Sequence, residues 1–371
     1  MPAGSIREEE RKRSMKQDRQ KALEQLLGQI VPVDQAAREE ALRRWDSIAK
    51  PLHSLGKLET DVAAIAGIQR DAHVRTEKKA LLVLCADNGV VEEGVTQTGQ
   101  EVTAIVAENF LACNTSAAIM AEQAGVDLFP IDIGMAVDTK VPSYKVAYGT
   151  KNIAKGPAMT REEALQAVLT GAHLVKQRQE EGYDLLAVGE MGIGNTTTSS
   201  AVSCVLMGQP VREMTGRGAG LSRAGLERKM EVIAQAIEKN HPDPQDGVDV
   251  LAKVGGFDLA GLAGICLGGA AYGMPVVLDG FISASAALAA VRICPTAEQY
   301  LIASHVSKEP GMRRILAELH LEAALDCGLC LGEGTGALCY LPALGLAAEV
   351  YRRMSTFSDN QIEDYQELGD Q

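Results

Sequence analysis

The chain has no surplus of positive charge. It carries 36 lysine and arginine residues against 49 aspartate and glutamate residues, a formal net charge of −13. Nucleic acids and anionic membranes attract basic surfaces, so this balance argues against either as a partner. A small anion remains compatible with it as a ligand, because backbone dipoles in one loop can outweigh the global charge.

The N-terminus has no apolar segment of the kind that a secretory signal needs, and residues 7–13 are all charged. We therefore expect a charged, disordered extension over residues 1–19 and a cytoplasmic protein. The uncharged run 259–278 is long enough to span a bilayer. Several glycines and Pro275 interrupt it, however, which favours a buried helix followed by a core strand.

The chain also has no second CxxC pair and no G-x-S-x-G motif of a serine hydrolase. Most of its eight cysteines lie in apolar runs, which predicts small buried thiols in a reducing compartment. Cys327 and Cys330 form an isolated CxxC motif, and a zinc site would need another pair or nearby histidines. We expect no metal.

Short apolar runs alternate with helical patterns. The predicted strands are 80–85, 128–133, 185–188, 275–278 and 301–303. Helical spacing appears over 20–72, and a capping box at Thr160 and Glu163 opens a helix that extends to Arg178. A last helix is expected over 341–354. This alternation predicts an α/β fold whose parallel sheet is covered on both faces, with ligands bound at the carboxyl ends of its strands.

Two glycine-rich segments, 189–197 and 331–337, each contain a glutamate. The first has the glycine spacing of a phosphate-binding P-loop, but Asn195 stands where that motif requires lysine. An NTPase is therefore not expected. A strand, a glycine turn and a helix that begins with hydroxyl side chains can still bind one phosphate, although an ordinary capped turn has the same pattern.

The second segment fits a relaxed dinucleotide fingerprint at Gly332, Gly334 and Ala337, but no clear βαβ unit follows it. We expect no nicotinamide dinucleotide. Glu333 is a candidate general base, with a structural loop glutamate as the alternative. Other candidates are Lys229 after the glycines of 216–220, and His305 in a polar segment after the last strand. The alternatives are that Lys229 is a solvated helix residue and that His305 is a structural histidine.

Taken together, these segments resemble the nicotinate-nucleotide:dimethylbenzimidazole phosphoribosyltransferase family of cobamide lower-ligand synthesis. The resemblance spans roughly residues 45–355. The matching segments, in chain order, are 50–59, 86–90, 100–103, 156–160, 189–197, 255–258, 278–281, 304–311 and 331–337.

The resemblance implies a Rossmann-like sheet in an α/β catalytic domain, 76–339. It also implies a small helical domain built from both chain ends, 20–75 with 340–371. It further implies a homodimer with active sites near the subunit interface. The expected reaction transfers phosphoribose from nicotinate mononucleotide to a lower-ligand base, and gives an α-riboside phosphate and nicotinate with no cofactor or metal.

The resemblance also implies residue roles. Glu333 matches a general base, and Glu190 matches a second carboxylate beside the ribose. Nucleotide and phosphate contacts correspond to Gly192, Gly194, Asn195, Thr196, Lys229 and Ser307. Acceptor contacts correspond to Gln100, Asn88 and Leu331.

The sequence departs from the family pattern at three places, of which the loop around residues 96–100 is expected to border the acceptor. Asn88 replaces a histidine, Thr98-Gly99 replace an aromatic residue and proline, and His53 replaces a glycine. The acceptor is therefore left open among benzimidazoles, purines and phenols. An alternative function also stays open, namely a nucleotide-binding paralogue that is non-catalytic or works only as a subunit of a heterodimer.

Overall fold

The computed structural model describes residues 17–366. Its centre is a five-stranded parallel sheet in the order β2-β1-β3-β4-β5. The strands are β1 (Lys79–Ala86), β2 (Val126–Gly134), β3 (Leu185–Met191), β4 (Val276–Leu278) and β5 (Leu301–Ala303). All five predicted strands and the α/β class are confirmed.

Helices surround this sheet. They are α1 (17–27), α2 (Gln35–Ser47), α3 (Lys57–Gln69), α4 (Glu101–Leu111), α5 (Ser116–Ala124), α6 (Arg161–Glu180), α7 (Asn195–Met207), α8 (Val211–Met214), α9 (Arg223–Asn240), α10 (Gly247–Val254), α11 (Phe257–Tyr272), α12 (Phe281–Ile293), α13 (Met312–Glu318) and α14 (Thr335–Arg353). Short 3₁₀ helices cover Gly89–Glu93 and Pro295–Tyr300.

The two faces of the sheet belong to two hydrophobic clusters. Alternate residues of β1 such as Leu82 and Leu84 pack in the cluster that holds the buried side chains of α6, α11 and α12. Leu81 and Val83 face the opposite way and pack with α3, α5 and α14. The period of two along a strand produces this division, so both faces are covered by helices.

The two chain ends meet on the second face. The Trp45 and Tyr351 rings lie 5.1 Å apart, and the Tyr340 hydroxyl donates to Asp61 at 2.7 Å. These helices share one buried cluster with the sheet, whereas Leu23 and Leu26 of α1 pack in the other cluster. The division into two domains stays a prediction.

Several local predictions can be compared with the structure. The Thr160–Glu163 capping box is present, and the apolar run 259–278 forms the buried helix α11 followed by β4. The last helix begins at Thr335 instead of residue 341, since Pro342 is accommodated inside it. Of the predicted extension, residues 1–16 lie outside the described residues, and 17–19 already belong to α1.

The expectation of mostly buried cysteines is wrong for half of them. Cys85, Cys204 and Cys266 are buried and Cys294 is partly buried. The other four, at positions 113, 327, 330 and 339, are exposed, because they lie in loops or on the outer side of α14. An apolar neighbourhood in the sequence therefore does not ensure burial at a loop position.

One segment, Glu101–Ala124, is apolar and long enough to resemble a membrane span by composition. The structure divides it into α4 and α5, of 11 and 9 residues, with Ala112–Thr115 between them. A continuous span needs roughly 20 helical residues, so neither helix alone reaches that length.

Candidate active site

A cavity of about 270 Å³ lies at the carboxyl ends of the central strands. Residues at and after the ends of three neighbouring strands form much of its wall: 190–196 from the end of β3, 279–283 after β4, and His305, Ser307 and Glu309 after β5. The loops 95–98, 217–221 and 330–333 complete the lining. The site thus lies at the edge of the sheet that the parallel fold predicts.

The two glycine-rich segments pack directly against each other in this wall. A methyl group on Gly189 would lie 2.6 Å from the carbonyl carbon of Glu333, and one on Gly332 would lie 2.7 Å from Glu190 Oε1. Both distances are far below ordinary contact, so only glycine allows the two segments to meet. Their contact brings the two predicted catalytic glutamates to one place.

The first segment forms the predicted strand, turn and helix. Gly194 adopts a φ of 94° and caps α7, which begins at Asn195. This left-handed conformation favours glycine. A methyl group on Gly192 would lie 2.5 Å from the carbonyl oxygen of Ala86. Both glycines are therefore required to bring the N-terminus of α7 to the cavity.

Glu190 belongs to a buried polar cluster. The Asn195 amide donates to Glu190 and also to Asp258 Oδ2, at 3.2 Å in the second case. Burial raises the pKa of Glu190 well above its usual range, and the nearby Asp258 charge adds to this. Burial also raises the pKa of Asp258 to about 6, against hydrogen bonds from Leu259, Asn195 and Asn88. The ligand-free cluster therefore favours a neutral Glu190.

Glu333 lies next to this cluster in the cavity wall, in an uncommon backbone conformation. Its φ is 61°, in the left-handed region. Burial raises the pKa of its carboxyl, whereas the Ala117 N–H at the start of α5 lowers it. Its Oε2 atom is buried without a hydrogen-bond partner in the described residues. A carboxylate with a raised pKa and a free oxygen is suited to accept a proton.

Asp279 anchors the backbone that follows Glu333. Its Oδ1 accepts from the N–H groups of Gly336 and Ala337, at 2.7 and 3.2 Å, and its Oδ2 accepts from Gly334 N–H at 3.2 Å. These N–H groups open α14, where an anion is favoured. The sequence places Asp279 directly after β4, so the sheet fixes the position of the segment that contains Glu333.

The part of the cavity wall around Thr196, the anion end, is suited to an anion because the buried Lys229 ammonium lies directly behind Thr196. The Lys229 ammonium is fully buried and donates to Thr196 Oγ1 at 2.9 Å and to the Gly216 carbonyl oxygen at 3.2 Å. Burial lowers its pKa to about 8. Ser307 also lines the cavity, and its Oγ is buried without a partner in the described part of the chain. Two predicted phosphate residues, Lys229 and Thr196, are therefore in direct contact.

The predicted acceptor residues are less close together. Leu331 lines the cavity and is 54% exposed. Gln100 and Asn88 lie behind the wall: the Gln100 amide donates to the Asn88 carbonyl at 3.1 Å, and Asn88 is buried beside Asp258. Their acceptor contacts stay a prediction.

The sequence analysis did not select Asp258, Asp279 and Glu309 as site residues. The first two lie in segments that carried the family resemblance, and Asp279 directly follows a predicted strand. Asp279 was therefore accessible to reasoning about strand ends and Asp258 only through the resemblance, whereas the hydrogen bonds that both make across the fold were not predictable. Among residues 17–366, no group of three or more His, Cys, Asp or Glu side chains could hold a metal ion.

Comparison with known proteins places this site in a family. A phosphoribosyltransferase family model matches residues 30–362. The nicotinate-nucleotide–dimethylbenzimidazole phosphoribosyltransferase of Ruminiclostridium cellulolyticum is 45% identical over 93% of this chain and 99% of its own length. The Acetivibrio thermocellus protein of the same name is 48% identical, over 87% of this chain and 93% of its own.

A solved structure agrees with these relatives. The crystal structure of CobT from Thermus thermophilus superposes with a TM-score of 0.85 at 38% identity, over 89% of this chain and 100% of its own. The family predicted from ordered motifs is confirmed. The chain is a phosphoribosyltransferase and belongs to the nicotinate-nucleotide–dimethylbenzimidazole phosphoribosyltransferase family.

Proposed function

We propose that the chain transfers phosphoribose from nicotinate mononucleotide to a benzimidazole-type base. The observation that carries this proposal is one cavity lined by Glu190, Glu333, Thr196 and Ser307, with the Lys229 ammonium hydrogen-bonded to Thr196 behind the wall. The names of the relatives supply the two substrates, and we assign the phosphate to the Thr196 side of the cavity and the reacting ring to the side of the two glutamates.

In the proposed reaction, a ring nitrogen of the acceptor attacks the ribose anomeric carbon as the bond to the nicotinate nitrogen breaks. Because this nitrogen is cationic in the nucleotide, nicotinate leaves as a neutral pyridine ring and needs no acid. Attack from the opposite face converts the β-riboside to an α-riboside. Glu333 takes the proton from the other acceptor nitrogen, a contribution of about a hundred- to ten-thousand-fold.

Glu190 acts on the nucleotide side. In the ligand-free protein its burial favours the neutral carboxyl group. A cationic ring placed against it would favour the ionised form, so Glu190 releases its proton to solvent as the nucleotide binds, and the carboxylate stabilises positive charge near the ribose. Asn195, which donates to Glu190, then holds the carboxylate oriented towards the sugar.

The test is a product assay with the purified full chain. It is incubated with nicotinate mononucleotide and, in separate reactions, dimethylbenzimidazole, other benzimidazoles, adenine or a phenol. Nicotinate release together with an α-riboside phosphate of the expected mass supports the transferase and identifies the acceptor. Nucleotide binding without product from any acceptor would support the alternative of a non-catalytic or partner-dependent subunit.

We also propose a homodimer whose interface lies beside this cavity. Large apolar side chains are exposed on the two helices nearest the catalytic segments: Ile105 and Leu111 on α4, and Ile119 on α5, are 46–57% exposed. The Ile193 N–H bonds to Thr103 of α4, and Ala117 of α5 contacts Glu333. Light scattering should give twice the chain mass; a monomer that is fully active would contradict the dimer.

We further propose that the substrates are small molecules, that the reaction needs no cofactor, and that the protein is cytoplasmic.

A further inference from the structure

The anion end of the cavity already contains a negative charge. Glu309 lines the cavity two residues after Ser307. Its Oε2 atom is buried without a hydrogen-bond partner in the described residues. A methyl group on Gly216 would overlap this same oxygen. The carboxylate thus lies against the backbone of Gly216.

Gly216 is also where the buried ammonium is held. Lys229 donates to the Gly216 carbonyl oxygen, and Glu309 is the charged group whose field acts on Lys229. The ammonium and the carboxylate therefore flank one glycine. An isolated buried ammonium is unfavourable. In the ligand-free protein, the Glu309 carboxylate supplies the counter-charge that Lys229 would otherwise lack.

A phosphate bound by Lys229, Thr196 and Ser307 would be a second negative group beside the same ammonium. It would also place two negative groups within a few ångströms of each other, which is unfavourable in a partly buried site. Within residues 17–366, Glu309 Oε2 accepts no hydrogen bond that would hold it there. The Glu309 carboxylate is therefore the group that can move away when a phosphate binds.

We propose that Glu309 is a resident anion in the phosphate position, and that the phosphate of a ligand must displace it. It is an affinity-determining residue that weakens the binding of every phosphate-bearing ligand by a common factor. Since substrate and product of the proposed reaction carry the same phosphate, the returning carboxylate would also help the product to leave. This inference rests on the proposed function only for where the phosphate lies.

The test is calorimetric titration of the full chain with inorganic phosphate, which requires no turnover. The Glu309→Gln variant keeps the shape of the side chain and removes its charge. We expect it to bind phosphate on the order of tenfold more tightly than the unmodified chain, and to show a similar fall in KM for nicotinate mononucleotide. Glu309→Ala should change phosphate affinity in the same direction.

The matched control is Glu318→Gln, which removes the same charge from an exposed position on the nearby helix α13. It should leave phosphate binding unchanged. Unchanged or weaker phosphate binding in Glu309→Gln, with a normal melting curve, would overturn the inference, as would no phosphate binding in either protein. A chain that binds phosphate as expected but never releases nicotinate would instead contradict the proposed function alone.

Discussion

Replacing Lys229 with methionine should weaken nucleotide binding and yet stabilise the folded protein. The Lys229 side chain is fully buried, and burial lowers its pKa from 10.5 to about 8. That gap corresponds to roughly 3 kcal/mol by which the fold disfavours the ammonium. Methionine fills a similar volume without a charge.

The free-energy penalty of burying the Lys229 ammonium depends on pH. Below about pH 8 the lysine is protonated in both the folded and the unfolded chain, so the full penalty applies at pH 7. Between about pH 8 and 10.5 the unfolded chain holds more protons, and the stability of the unmodified protein rises with pH. Loss of the hydrogen bonds to Thr196 and Gly216 offsets about 0.5–1.5 kcal/mol each.

The net expectation for Lys229→Met at pH 7 is a gain of about 0–2 kcal/mol in the free energy of unfolding, the roughly 3 kcal/mol penalty less the two lost hydrogen bonds. The gain should shrink towards pH 10. Denaturant unfolding at both pH values measures it, with Lys239→Met, an exposed position on the same helix α9, as control. KM for nicotinate mononucleotide should rise at least tenfold. A variant that is less stable at pH 7, or that binds the nucleotide normally, would refute the reasoning.

Three further variants test the framework around the glutamates. Asp279→Ala leaves three N–H groups at the start of α14 without their acceptor and should lower both kcat, by about tenfold or more, and the melting temperature; an unchanged kcat would contradict its anchoring role. Asp258→Asn removes the charge that raises the pKa of Glu190, so the part of the pH–rate profile that reports Glu190 should move to lower pH; an unmoved profile would exclude the coupling. Gly194→Ala forces a methyl group to within 2.9 Å of Val91 at a φ of 94° and should cost about 1–3 kcal/mol of stability; an unaltered unfolding curve would count against it.

The sequence predicted the sheet and the position of the site because both depend on short-range patterns. Apolar runs of a few residues identify buried strands, and polar or glycine residues directly after them identify the carboxyl edge. The segments 189–197 and 331–337 were recognisable for the same reason. Their contact was not, because Gly189 meets Glu333 only through the packing of α14 on the second face of the sheet.

The parts that the sequence did not predict depend on long-range partners. Pro342 suggested a later start for α14, yet Asp279, more than fifty residues away, supports the first turn of that helix. The burial of Asn88 next to Asp258 was likewise not readable from the sequence, and its acceptor contact stays a prediction. The position of Glu309 beside Lys229 likewise arises only when the loops after β5 and before α9 meet.

The central claim is that Glu333 accepts the proton of the attacking base. Its most direct test is the single-turnover rate of α-riboside formation in Glu333→Gln, measured together with the Kd for nicotinate mononucleotide. We predict a rate at least roughly a hundredfold below that of the unmodified chain, with nucleotide binding nearly unchanged. A variant that forms the product at close to the normal rate would show that another group takes the proton.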